Sequence, residues 1–366
     1  MTEKKIRIGI IGANARYGWS MRAHLPALLA LPEFELTAVC TSRPETAAES
    51  AKAYGAKMAF HDYHEMVSHP DIDLVSVSVR VPLHHDMVMA ALAAGKHVFC
   101  EWPLGANLSE AQEMASLARS KGVVHMVGLQ ARGSPTLLRL RDLLSEGYVG
   151  EVLACNMAMF LPGLLQRGID RAWMADRANG ANTLTIATGH AIDAFCLCVG
   201  EFKELSALVT TQAPVWETGE PGKTVPVDAA DNVLISGVLD GGAVASAHVA
   251  TVPWHGSGWR MEVYGREGTL AATSQDMVQY GKIRLQGARG AKAAMANLPI
   301  PEGLIQVPGE VPEGAPFNVA QMYRRLGQAI RHGKTTDPDF DLAVERHRLL
   351  DTMERSSESG GKLEVA

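Results

Sequence analysis

The segment Gly12-Ala-Asn14-Ala-Arg-Tyr17-Gly18-Trp19 follows the apolar run Ile6–Ile11, and its residue types and spacing suggest ligand chemistry. A glycine at a strand exit permits a tight turn, and a helix starting beyond a second glycine presents unpaired N–H groups to an anion. The spacing departs from Gly-x-Gly-x-x-Gly. Asn14 occupies the second glycine position, and the last glycine, Gly18, is displaced by one residue. Asparagine tolerates the left-handed region better than most non-glycine residues, so the turn is still expected to cradle a pyrophosphate. Tyr17 and Trp19 flank it as further contacts. The next apolar run, Phe34–Cys40, leads into Thr41-Ser42-Arg43, without the carboxylate that usually binds the ribose hydroxyls of NAD there. Ser42 and Arg43 suit a 2′-phosphate, so the expected cofactor is NAD or NADP, with a lean toward NADP.

Other residues suggest proton transfer and substrate binding. His190 is the candidate catalytic base, because an imidazole titrates near neutral pH. Asp193 lies three residues on, on a neighbouring helix face, where it could orient His190 or cap a loop. Glu101-Trp102-Pro103 ends an apolar run: Glu101 is placed to bind ribose or backbone amides, and Trp102 to floor a pocket or stack on a sugar ring. Pro103 is a candidate for a cis peptide. Gln130, Arg132, Arg171, Trp173, Trp254, His255, Trp259 and Arg260 are candidate substrate contacts. The stretch Trp254-His-Gly-Ser-Gly-Trp259 reads either as a sugar-facing lid or as a plain sheet connection. His61-Asp62-Tyr-His64 lacks a distant third ligand, so no metal site is expected.

Elements must position these groups. Strands are predicted over Ile6–Ile11, Phe34–Cys40, Met58–Phe60, 73–79, 97–100 and 123–129, with helices over 45–54, 86–94 and 109–121. Gly95 should stop the second of those helices. This alternation predicts a mostly parallel sheet with helices on both faces. Beyond about residue 130 the pattern turns β-rich, over 151–159, 204–210, Asn232–Leu239, 243–252 and 260–264, with helices over 184–197 and 318–332. The Gly- and Pro-rich stretches 213–226 and 287–316 carry no period and read as long surface loops. The expected domains are 1–129 and 130–366, with the C-terminal helix allowed to pack back on the first.

Composition bounds the function. At about 150 residues per domain, 366 residues make two domains. With 34 Lys+Arg against 40 Asp+Glu, the net charge is −6, which gives no reason to expect nucleic-acid binding. The chain is 47% hydrophobic and 20% charged, as in a soluble globular protein. No apolar run approaches the roughly 20 residues of a membrane span, and the start has no signal-peptide core. Five cysteines, an odd number without a Cys-x-x-Cys pair, point to reduced packing residues and a cytoplasmic location.

The segment from His84-His85-Asp86 through Gly95-Lys96-His97-Val98 to Glu101-Trp102-Pro103-Leu104 resembles the cofactor-domain core of the Gfo/Idh/MocA oxidoreductase family. So do 123–128 and 261–270. The resemblance implies an α/β Rossmann domain followed by an α+β domain with an open, mostly antiparallel sheet that often mediates oligomerisation. It therefore implies a homo-oligomer, dimer or tetramer, and adds His84 to the cofactor contacts. Asn14…Gly18-Trp19, Glu101-Trp102, 129–135, 147–150, 189–193 and 223–226 resemble the subgroup of the yeast galactose-pathway repressor. Family dehydrogenases carry lysine where this chain has Trp102, and many carry aspartate where it has Ile186. Three functions are implied. One is an NAD(P)-dependent oxidoreductase of a sugar, polyol or related cyclic alcohol with His190 as base. Another is an NAD-dependent glycoside hydrolase using transient ring oxidation and elimination. The third is a non-catalytic dinucleotide-binding regulator with a protein partner.

Overall fold

Residues 4–365 are described in a computed structural model. The first run alternates β1 (Ile6–Ile11), α1 (Leu25–Leu29), β2 (Phe34–Cys40), α2 (Pro44–Tyr54), β3 (Met58–Phe60) and α3 (Tyr63–Ser68). It continues through β4 (Leu74–Val77), α4 (His84–Ala93), β5 (His97–Glu101), α5 (Leu108–Lys121) and β6 (His125–Gly128). The strands are parallel, in the order β3-β2-β1-β4-β5-β6. β1 and β4 are buried along nearly their whole length, as strands covered on both faces must be. Side-chain caps fix the helix starts: Asp62 accepts from the His64 amide and Asn107 from that of Glu110. Gly95 follows α4 with φ +70°, the left-handed stop its position suggested.

The chain continues through α6 (Pro135–Ser145), β7 (Val152–Pro162), α7 (Gly189–Val199), β8 (Phe202–Thr210), β9 (Val215–Glu217), β10 (Thr224–Pro226) and β11 (Asn232–Leu239). Next come β12 (Val244–Val252), β13 (Gly258–Gly265), β14 (Gly268–Ser274), β15 (Arg284–Arg289), β16 (Ala296–Asn297), α8 (Ala315–His332), α9 (Phe340–Ser359) and β17 (Leu363–Glu364). Nine of these strands form a second sheet, in the order β16-β15-β14-β13-β7-β12-β11-β8-β17. Only the β7–β12 pairing is parallel. Its strands alternate as half-covered strands do: Cys155, Met157, Met159, Val233, Ile235, Met261 and Val263 are buried, while Leu208, Leu234, Val244 and Tyr264 stay exposed. The architecture is thus a parallel Rossmann sheet followed by a mostly antiparallel α+β domain.

Two compact units result, Met1–Gly133 with Gln306–Glu345 and Ser134–Ile305 with Arg346–Ala366. Much of the segment 306–345 joins the first core because its apolar side chains do: Val307, Val311, Val319, Met322, Tyr323 and Leu326 cluster with Ile6, Ile8, Phe34, Phe99 and Met126. A Cβ on Gly327 would come 3.0 Å from the Phe34 ring, so α8 approaches that core closely.

Two expected surface loops are not wholly loops. Within 213–226, β9 pairs with β10, and Ala213 and Trp216 are buried. Within 287–316, β16 pairs with β15, which itself ends inside the stretch, and Val307 and Val311 are buried. Glycine and proline break periodicity without forbidding burial of the apolar residues between them. α6, β14 and α9 lie outside the predicted elements, although Ser134-Pro135 is a helix-start signal with proline at the first helical position. Among the described residues, no helix is long and apolar enough to cross a membrane. All five cysteines are buried free thiols.

Candidate functional site

In the first unit, the chain leaves β1 at Gly12 with φ +88°. A Cβ there would lie 2.2 Å from the Ser78 carbonyl oxygen, so only glycine lets the exit of β1 pass over the end of β4. The Gly12 amide donates to the Cys40 carbonyl, and the Ser78 amide donates to that of Ile11. The turn thus sits at the carboxyl ends of three adjacent strands, where the strand order reverses direction and open α/β sheets bind ligands. Asn14 contributes differently from expectation. No non-glycine residue has positive φ among the described residues; instead, the Asn14 side chain accepts the Arg16 amide at 2.8 Å, closing a local turn. Gly18 takes φ +100° with open space around it. Tyr17 is exposed, Trp19 is half-buried, and the helix begins at Ser20.

Two observations fit a dinucleotide here. Ser78 Oγ is buried beside the turn with no hydrogen-bond partner among the described residues. Ser42 and Arg43, after β2, are exposed, and the Arg43 guanidinium makes no ion pair or hydrogen bond with a described residue. The Arg43 backbone carbonyl, by contrast, is fixed by the Thr41 and Thr46 hydroxyls. Gly12, Gly18 and Ser78 suit the pyrophosphate, and Ser42 with Arg43 suits the ribose side.

At the end of β5, Glu101 is nine-tenths buried and tied on both oxygens. Oε1 lies 2.7 Å from His24 Nε2, and Oε2 accepts from Gln130 Nε2 at 2.7 Å. His24 Nδ1 lies 2.7 Å from the Tyr323 hydroxyl, which donates to Ser76 Oγ at 3.0 Å. Burial pushes the Tyr323 phenol well up, so it stays protonated. A Cβ on Gly128 would fall 2.8 Å from Glu101 Oε1, so this glycine leaves the space the carboxylate fills. The sequence reading found Glu101 and Gln130 and missed His24, Tyr323 and Ser76.

Trp102 is buried and its bond to Pro103 is cis. His84 sits beneath that bond, with Nδ1 2.8 Å from the Pro103 carbonyl and Nε2 3.2 Å from that of Val79. Burial holds its imidazole below the usual histidine range. Arg132, also buried, donates to Asp337 at 2.8 Å, and its carbonyl accepts from Arg325.

The second unit holds the other candidates. His190 is buried near the start of α7, after an irregular turn over Thr183–Thr188 that Asn182 caps reciprocally with Thr185. Asp193 is fully buried, and its Oδ1 accepts from Arg346 Nε at 2.9 Å; Arg346 also forks onto Glu201 at 2.7 and 2.5 Å. Trp173, with Asn179 donating to its carbonyl at 2.6 Å, lines a cleft of about 560 Å³ together with Ala175, Asp176, Val225, Val227 and Asp228. The lid reading of 254–259 fails. Trp259 is buried in β13, and a Cβ on Gly256 would lie 2.1 Å from the Phe160 carbonyl, so these glycines serve close packing. Trp254 is exposed on that connection.

Comparison with known proteins agrees with this architecture. Residues 6–129 match the profile described as oxidoreductase family, NAD-binding Rossmann fold, and residues 135–274 match that of the Gal80p C-terminal domain. Dehydrogenase aclE of Aspergillus oryzae is 39% identical over 56% of this chain and 57% of its own length. The galactose/lactose metabolism regulatory protein GAL80 of Saccharomyces cerevisiae is 29% identical over 65% and 59%. The chain thus spans less than two thirds of these two relatives. Levoglucosan dehydrogenase of Pseudarthrobacter phenanthrenivorans is 28% identical over 73% of each chain. Among solved structures, a super-repressor mutant of Gal80p from Saccharomyces cerevisiae superposes with a TM-score of 0.86 at 24% identity, covering 99% of this chain and 98% of that one. Levoglucosan dehydrogenase in complex with NADH and L-sorbose gives 0.83 at 23%, covering all of both chains.

Proposed function

Because the chain belongs to the Gfo/Idh/MocA oxidoreductase family, with a Gal80-like second domain, we propose that it is an NAD(P)-dependent oxidoreductase of a sugar, polyol or related cyclic alcohol. The observation that carries this reading is the Gly12 turn at the switch point of the first sheet, with the unpartnered Ser78 hydroxyl beside it. When bound, the nicotinamide ring supplies the hydride acceptor. The chain must then hold the alcohol and remove its hydroxyl proton. We assign proton removal to His190, because Trp102, in the lysine's place, cannot titrate. Asp193 is assigned to holding α7 through Arg346, not to proton transfer. His84 and Glu101 position the Trp102–Pro103 segment and Gln130, while Gln130, Arg132, Trp173 and Trp254 are the proposed substrate contacts. The unpaired Arg43 supports NADP or dual use. A cytoplasmic location and assembly through the open sheet face complete the proposal. That face carries Leu208, Leu234 and Val244 among small residues such as Ser206, Ser236 and Ser246.

A panel of sugars and polyols with each oxidised cofactor tests the proposal by absorbance of the reduced cofactor. The expected outcome is reduction with at least one sugar, lost on His190→Ala while cofactor binding is kept. Full activity of His190→Ala would overturn the base assignment, and a tenfold preference for NAD would overturn the NADP lean. A second reading, a regulator that binds a dinucleotide and a protein, is favoured by Trp102 and by the Gal80p C-terminal match. Tight cofactor binding with no reduction on any sugar would select it. Aglycone release from aryl glycosides without net reduction would select the glycoside hydrolase instead.

A further inference from the structure

Arg167 and Arg171 lie in the second unit, on the segment that joins β7 to α7. The Arg167 amide donates to the Glu217 carbonyl at 2.9 Å, which draws this segment alongside β9. The Arg167 guanidinium then stacks on the Trp216 indole, its Cζ 5.2 Å from the ring centroid. Its Nε is buried with no hydrogen-bond partner, and neither arginine makes an ion pair with any described residue. Burial, and then the like charge of Arg171, pull the Arg167 pKa below the usual guanidinium range. A guanidinium nevertheless stays protonated; Arg167 is half-buried with its Nε enclosed, Arg171 is exposed, and a charge partly withdrawn from water favours a counter-charge. With no carboxylate of a described residue in ion-pair contact with either arginine, the pair is open to a counter-charge from outside the chain.

The surroundings indicate what carries that charge. Trp216 clusters with Ala175 and Val227 and packs against Val225, and those three residues line the cleft of about 560 Å³ that also holds Trp173. Asp176, Asn179 and Asp228 supply oxygen and amide groups on the cleft wall. Carboxylates there would repel an anion but accept from hydroxyls. The cleft itself thus offers hydroxyl-accepting groups and the Trp173 ring, while the Arg167–Arg171 pair lies outside its lining, joined to it through Trp216 and its neighbours Ala175, Val225 and Val227.

We propose that Arg167 and Arg171, on the Trp216 platform, bind the carboxylate or phosphate of an acidic sugar derivative whose hydroxyl-bearing body occupies the adjoining cleft. The sugar body rests on the carbohydrate reading above; the anion does not.

Titration calorimetry on the full chain tests this with D-galacturonate, D-glucose 6-phosphate, inorganic phosphate, D-galactose and D-glucose. The expected result is that at least one acidic sugar binds tenfold or more tightly than its neutral counterpart, with affinity falling as salt rises. Arg167→Gln should lose that preference, and Arg167→Lys should recover part of it. The ligand-free Arg167→Gln protein should melt at or above the wild-type temperature, because an unpaired charge has been removed; a merely structural arginine would lower it. Equal affinity for acidic and neutral sugars, no acid binding, or full binding by Arg167→Gln would overturn the proposal. Phosphate binding as tightly as the sugar phosphate would overturn the sugar class. Acid binding without any cofactor reduction would count against the oxidoreductase reading and leave this one standing. Turnover of neutral sugars with no acid binding would do the reverse.

Discussion

Removing the His24 imidazole would leave Oε1 of Glu101 without its donor in a place nearly closed to water. An unsatisfied buried acceptor costs about 1–3 kcal/mol, so His24→Ala should lose at least that much stability in urea unfolding. Dinucleotide affinity should fall with it, because Glu101 holds the end of β5. His24→Gln, which can still donate, should recover part of the loss; a His24→Ala protein as stable as wild type would remove the network's importance. This network shows where reading the sequence stops. Glu101 is legible because it ends an apolar run beside Trp-Pro. His24 is not, since its partners lie 77 and 299 residues away and nothing local distinguishes it from any helical histidine. Asn14 is legible as a turn residue, but its type suggests a left-handed backbone that it does not adopt.

At the scale of elements, two histidines stitch strand starts to their neighbours. His97 Nδ1 accepts the Val124 amide at 3.0 Å, and His125 Nδ1 accepts the Phe340 amide at 3.1 Å. Only a neutral ring can accept at that nitrogen. Burial holds both pKa values below the usual histidine range, against the pull of Asp73 on His97 and of Asp339 and Asp341 on His125. For bases depressed in the folded state, the stabilising contribution is complete above the unfolded value of about 6.5. It is lost as pH falls through the lower folded values. Melting temperature should therefore drop from pH 7.5 to pH 5, and His97→Gln combined with His125→Gln should flatten that slope. Glu354, pushed up by burial, works in the opposite sense, so the difference between variant and wild type is the quantity to read. An unchanged slope in the double variant would refute the assignment. Elements were legible where apolar runs were bounded by turn residues: β1, β2, β3 and β11 begin and end where the sequence places them. The hairpin around Trp216 was not, because its burial depends on Ala175 and Val227, which local periodicity cannot see.

For the whole molecule, the open face of the second sheet sets an expectation about assembly. Leu208 pairs directly with Leu234, which neighbours His248 on β12, and small side chains flank them. An exposed leucine pair set among small side chains is a candidate contact for a second copy of the same sheet. Leu234→Arg should shift the sedimentation of the protein toward monomer without lowering its melting temperature by more than a few degrees. A wild type that sediments as a monomer, or an oligomer unchanged by Leu234→Arg, would overturn this contact.

The return of α8 to the first core has a consequence for how the protein is made. Synthesis is vectorial, and domains generally fold as they emerge. Here Ile6, Phe34 and Phe99 wait for Val319, Tyr323 and Leu326, which are translated after the entire second sheet except β17. The earliest residues should therefore be the last to reach protection. A chain stopped at residue 305 should bind the dye ANS and digest rapidly before residue 130, while its second sheet resists protease. The amino-terminal third would then depend on chaperones for most of its time on the ribosome.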